Sequence, residues 1–79
     1  MSNTLELLLE RFRANSVPLD EVRAAYFSHI KTEKRLRHLI RTGEVPLPTF
    51  KISDSRLAPL HVRLADLAAY LDSRAEQAA

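Results

Sequence analysis

The chain is 79 residues long, carries a formal net charge of +2 and contains no cysteine. Such a length accommodates one domain around one modest core, and without cysteine neither disulfides nor thiolate-bound metal can reinforce it. No apolar run approaches the roughly 20 residues of a membrane span, and Met1-Ser2-Asn3 does not open a signal peptide, so the expectation for residues 1–79 is a single cytoplasmic domain of packed helices.

Asn3-Thr4-Leu5-Glu6 has the form of a capping box, with Asn3 as cap and Glu6 as its reciprocal partner, and opens an N-terminal helix over residues 1–14. Leu5, Leu8, Leu9 and Phe12 share one face of that helix and Leu7 widens it. So wide an apolar surface serves either the core or a second copy of the chain. Asn15-Ser16-Val17-Pro18 breaks the helix. A helix-turn-helix is predicted over 18–42. Its first helix starts at Pro18-Leu19, where proline is tolerated, with Asp20 and Glu21 near the positive end of the dipole. Val22, Ala25 and Tyr26 face inward, Phe27 marks the exit, and Ser28-His29-Ile30 is the turn.

The second helix, 31–42, has two unlike faces. At about 100° per residue, Leu36, Leu39 and Ile40 fall on one side and Lys31, Lys34, Arg35, His38 and Arg41 on the other. Thr32 is placed to cap its start and Gly43 to end it in a left-handed conformation. Beyond Gly43, Pro46 and Pro48 exclude helix, and a two-stranded wing is predicted over 48–63. Thr49-Phe50-Lys51-Ile52 alternates as a strand does, and Ser53-Asp54-Ser55-Arg56 is turn chemistry. Leu60-His61-Val62-Arg63 returns antiparallel, with Val62 and either Phe50 or Ile52 toward the core and His61 toward solvent. A last helix over 64–75 buries Leu64, Leu67, Ala68 and Leu71, and residues 76–79 form a frayed tail. The fold class is mainly α with a small β-hairpin wing.

Charge is unevenly spread along this layout. Residues 31–63 hold eight Lys/Arg against three Asp/Glu, a net +5, whereas 1–30 carry −1 and 64–79 carry −2. A concentration of this kind suits a polyanion-binding surface, and equally a solvated helix face. With the 31–42 helix in a DNA major groove, Lys34, Arg35 and His38 lie at the centre of the ridge and read base edges. Lys31, Arg37, Arg41, Lys51, Arg56 and Arg63 then hold phosphates.

The succession of helix, helix-turn-helix, wing and helix is similar to the winged helices of MerR-type regulators and phage excisionases. In those folds a helix of the Asp-Leu-x-x-Tyr-Leu kind follows the wing, and Asp66-Leu67-Ala68-Ala69-Tyr70-Leu71 is that segment. A closer likeness rests on Pro18-Leu19, Tyr26-Phe27 with His29, Gly43-Glu44-Val45-Pro46-Leu47-Pro48, and Asp66-Leu67-Ala68 with Tyr70-Leu71-Asp72. In that order and spacing they resemble the pyocin activator (PrtN) family, over a span from Asn3-Thr4 to Asp72. The resemblance implies a sequence-specific transcriptional activator of bacteriocin or prophage genes, bound to double-stranded promoter DNA. It also implies contact, direct or indirect, with RNA polymerase. Two other outcomes share the fold: an excisionase-like architectural DNA binder, and a phage-derived protein-interaction module.

So small a reader covers few base pairs, which favours a homodimer or adjacent copies on DNA. The chain departs from its relatives at one point. Where they tend to carry Ser-Gln-Lys, it has Ser55-Arg56-Leu57, which moves the cation by one residue. Leu57 and Leu60 thereby join Leu5, Leu8, Leu9 and Phe12 as candidate protein contacts. Catalysis has no foothold in the sequence. His29, His38 and His61 lack metal-ligand spacing, Ser53 and Ser55 are turn residues, and Gly43 alone cannot make a phosphate loop. The expectation is no enzyme, no cofactor, no metal, no small-molecule substrate and no membrane partner.

Overall fold

The computed structural model describes residues 3–78. The expectations for Met1, Ser2 and Ala79 therefore lie outside the described residues. In chain order the elements are α1 (Thr4–Phe12), β1 (Ser16–Pro18), α2 (Leu19–Tyr26), α3 (Glu33–Thr42), β2 (Phe50–Lys51), β3 (Leu60–Arg63) and α4 (Leu64–Ala78). The molecule is mainly helical with a small antiparallel sheet, as its hydrophobic pattern predicts. The sheet has three strands in the order β1-β3-β2, not the two of a lone wing.

The third strand arises where the sequence suggests only a break. Val17 lies opposite Val62, with Ser16 opposite Arg63 and Pro18 opposite His61, and the Leu64 amide donates to the Asn15 carbonyl at 2.8 Å. Proline can stand here because β1 is an edge strand, where a missing N–H costs no ladder bond on the solvent side. Val17 and Val62 are both buried. Burial on one face fixes the register, since a slip of β1 by one residue would turn Val17 away from Val62 and outward.

Register also corrects the wing. Phe50 lies opposite His61 and Lys51 opposite Leu60. Alternation then puts Lys51 on the same face as Leu60 and Val62, and Phe50 on the outer face with His61. Neither Phe50 nor Ile52 is a core residue; Ile52 is 70% exposed. His61 takes the outer face as alternation predicts, but it is half-buried beneath the Phe50 ring at 6.0 Å, and its Nδ1 is shut from solvent without a protein partner.

The core joins every helix to the sheet. Leu19 and Val22 of α2, Leu36 of α3, Val62 of β3, and Leu64 and Leu67 of α4 are wholly buried. Each such leucine or valine contributes about 1.5–3 kcal/mol by leaving water. No charged or polar residue is buried among those described. α1 packs on α4 in opposite directions, because Thr4 Oγ1 at the start of one donates to Asp72 Oδ1 late in the other at 2.6 Å. Of the apolar residues of α1, Leu8 is buried and Leu9 and Phe12 pack on the core. Leu5 and Leu7 remain 37% and 56% exposed.

Two helix ends differ from expectation. The Asn3 side chain makes no capping bond; its φ of −106° and ψ of 20° take it out of the extended conformation that capping needs. Its carbonyl still accepts the Leu7 amide at 3.0 Å, the first bond of the helix. α4 continues through Ala78 rather than stopping near Arg74. The run Asp72-Ser73-Arg74-Ala75-Glu76-Gln77-Ala78 holds no glycine or proline to end it, and Arg74 Nη1 donates to Gln77 Oε1 at 3.0 Å on its exposed side.

Candidate nucleic-acid interface

The turn between α2 and α3 is braced from behind. The Arg23 guanidinium donates through Nε to Asp20 Oδ1 at 2.9 Å and through Nη1 to the Ile30 carbonyl at 3.0 Å. Ile30 is buried and its amide donates to the Phe27 carbonyl at 2.8 Å. Arg23 is thus a cation engaged in holding the turn. Its place three residues after Asp20 is the only sequence signal of that role.

α3 starts and ends as its sequence predicts. Thr32 takes an extended conformation and its hydroxyl accepts the Arg35 amide at 3.1 Å. Gly43 has φ 88°, and the Thr42 hydroxyl donates back to the Leu39 carbonyl at 3.1 Å. Lys31 precedes the cap, so it flanks α3 and does not belong to its ridge. After Gly43 the chain is pulled back to the core by Val45 and Leu47, which are buried and alternate with exposed Pro46 and Pro48. That excursion aims β2 alongside α3.

The three residues expected to read bases come together. Lys34, Arg35 and His38 are exposed, and with Thr32 they line one shallow hollow of about 330 Å³. Directly behind them Leu36 is 0% exposed. Fixing the inner side of α3 in this way leaves the cationic side facing solvent.

On either flank lies a further depression. Between α3 and the wing runs a groove of about 250 Å³, with Arg37 and Arg41 on one wall and Thr49, Lys51 and Leu60 on the other. Arg41 and Lys51 are exposed. Arg37 is less free: Nη2 lies 2.8 Å from Glu33 Oε2, and its buried Nε has no protein partner. Across the opposite flank is a cleft of about 850 Å³ between α3 and α4, edged by Lys31 and Arg35 on one side and Arg74 on the other. Arg74 was not expected in this setting; its spacing of four from Tyr70, which lines the same cleft, is the sequence signal for it. His29 also edges the cleft, its ring 6.4 Å from Phe27.

The other expected contacts are scattered. Arg56 lies in the hairpin beyond β2, and Arg63 stands beside Leu5, Leu9 and Asn15, away from the α3 groove. Leu57 is 94% exposed, whereas Leu60 packs on the core. Leu8 is buried and unavailable as a surface contact.

Among the described residues no group of three or more His, Asp or Glu is placed to hold a metal ion, and no helix is long and apolar enough to cross a membrane. No curated protein and no solved structure matches the chain. The sequence profile of the pyocin activator protein PrtN does, over residues 4–78, from the first residue of α1 to the last of α4. That span takes in α3 and both of its cationic flanks, and the chain belongs to the pyocin activator protein PrtN family, one of gene activators rather than enzymes.

Proposed function

We propose that this protein is a sequence-specific DNA-binding activator of bacteriocin or prophage genes, with α3 in the major groove of promoter DNA. One observation carries the reading: Lys34, Arg35 and His38 are gathered in one exposed hollow on a helix whose opposite side is anchored at Leu36. Arginine and lysine donate to guanine O6 and N7, and a good bidentate pair discriminates by about 1–3 kcal/mol. Arg41 and Lys51 hold the phosphates on the wing side, and Lys31 and Arg74 those on the other. Arg37 shares its charge with Glu33 and contributes less. Arg56 reaches DNA from the wing, and Arg63 takes no part in the α3 groove.

A second copy of the chain on an adjacent site supplies affinity that one small reader lacks. Such a contact uses Leu5 and Leu7 of α1, since Leu8, Leu9 and Phe12 belong to the core. RNA polymerase is the further partner that the family's activator role requires.

The test begins with duplexes recovered by the full chain from a random-sequence pool. Exchanging both Arg35 and His38 for alanine should erase the preference for the recovered duplex over scrambled DNA. Circular dichroism and melting temperature should stay at wild-type values, because both side chains are exposed. Undiminished preference in the double variant would overturn the placement of α3.

A further inference from the structure

The wing ends in a turn of unusual chemistry. The Ser55 carbonyl accepts the Ala58 amide at 3.1 Å, and the Ser55 hydroxyl accepts the Leu57 amide at 3.2 Å. Residues 55–58 therefore form a β-turn with Arg56 and Leu57 at its two central positions. Leu57 is 94% exposed, more than any other large apolar residue of the described chain. An isolated exposed leucine needs no explanation. This one is held out at the apex of a hydrogen-bonded turn, next to a guanidinium, at the end of a cationic track.

That track has an order. From the hollow of α3 it passes to the groove of Arg41 and Lys51 and then out along the hairpin to Arg56. Laid on a duplex, the same order is major groove, phosphodiester backbone and minor groove. Lys51 pairs with Leu60, and the apex at Leu57 stands three residues from Leu60, a reach of at most about 10 Å. That is enough to carry the apex past one backbone into a minor groove about 6 Å wide. Asp54 is the one acid on this arm, and Lys51 with Arg56 leaves it net positive.

We propose that the wing apex enters the minor groove, with Leu57 as a wedge that parts a base step and Arg56 as its anchor, so that the protein kinks the DNA it binds. This rests on the reading of α3 as a major-groove reader. Apolar side chains used as wedges in minor grooves part stacked bases and bend the duplex by about 20–90° toward the major groove. The narrow groove concentrates negative potential that draws an arginine in. A leucine facing water in the free protein loses that exposure on insertion, which favours the inserted state. Flexible pyrimidine–purine steps yield most easily, so a preference for them is expected at positions where no side chain reads a base edge.

The experiment uses the full chain and the duplexes it recovers from a random-sequence pool, kept well below the persistence length of about 150 bp. Energy transfer between dyes at the two ends reports bending, and 2-aminopurine scanned beyond the major-groove site reports unstacking. Wild-type protein should raise both signals. Leu57→Ala should still retard the duplex but lose more than half of each signal, while Leu57→Phe restores them. Melting temperature should not change, since Leu57 packs on nothing. Binding without a bend in the wild type, or an undiminished bend in Leu57→Ala, overturns the wedge and leaves the α3 reading standing. Unchanged bending together with lost self-association in Leu57→Ala overturns it in favour of a protein contact. Failure of the wild type to retain any duplex overturns both readings.

Discussion

Gly43 is the chain's one glycine, and it stands where the backbone turns left-handed. Its φ of 88° lies in the left-handed region, and a Cβ added there would meet nothing within 4 Å. The cost of Gly43→Ala is therefore conformational and not steric, roughly 1–2 kcal/mol. Urea unfolding should show that loss with an unchanged slope, and Gly43→Asn should recover part of it, because asparagine tolerates this conformation better. Lys51 teaches a different lesson at the same scale. Alternation in Thr49-Phe50-Lys51-Ile52 says that Phe50 and Lys51 face opposite ways, but not which way is inward. The pairing with Leu60 decides it, and sets a lysine against the α3 groove where an aromatic was expected.

At the scale of elements, α3 is the most legible part of the chain because its signals are local. Thr32, Leu36 and Gly43 lie within twelve residues and act on their own neighbours. Removing the cap with Thr32→Ala should cost about 0.5–2 kcal/mol. The loss should appear in the unfolding midpoint, and amide exchange should quicken first at Arg35, the donor that loses its partner. β1 is illegible for the opposite reason. Ser16-Val17-Pro18 is too short to show alternation and ends in proline, and its only partner strand begins at Leu60. The start of α1 likewise holds a contact no local pattern shows, the bond from Thr4 to Asp72 of α4. Local patterning gave the element order, but not the strand count.

For the whole molecule, electrostatics and reach set the behaviour. The described residues span 38 × 26 × 18 Å, so the long axis is close to one turn of duplex at about 34–36 Å. Cations that release counterions from phosphates make affinity fall with salt, by about 0.9 in log–log slope for each contact. Replacing both Arg41 and Lys51 with glutamine should therefore flatten the slope by roughly 1.8. Arg37→Gln should change it less, because Glu33 already occupies that guanidinium. An unaltered slope in the double variant would mean that the groove between α3 and the wing does not lie over a backbone. The candidate site was legible as residue types on one helix. Its flank toward the wing was legible too, in Arg41 and Lys51; its flank toward α4 was not, because it brings α3 together with Arg74 from far along the chain.

The pairing of β1 with β3 has a consequence for how the protein emerges during synthesis. The α3 helix is complete in sequence by Gly43, yet Val17, Leu19 and Leu36 share one core cluster with Val62, Leu64 and Leu67. A nascent chain halted before Leu60 carries the whole helix-turn-helix with its inner side open to water. Bringing Val17 to Val62 closes a loop of more than forty residues, which costs chain entropy that only the finished core repays. A fixed setting for α3 thus waits on Val62, Leu64 and Leu67. A truncated product would present the cationic ridge without the rigid backing that orients it.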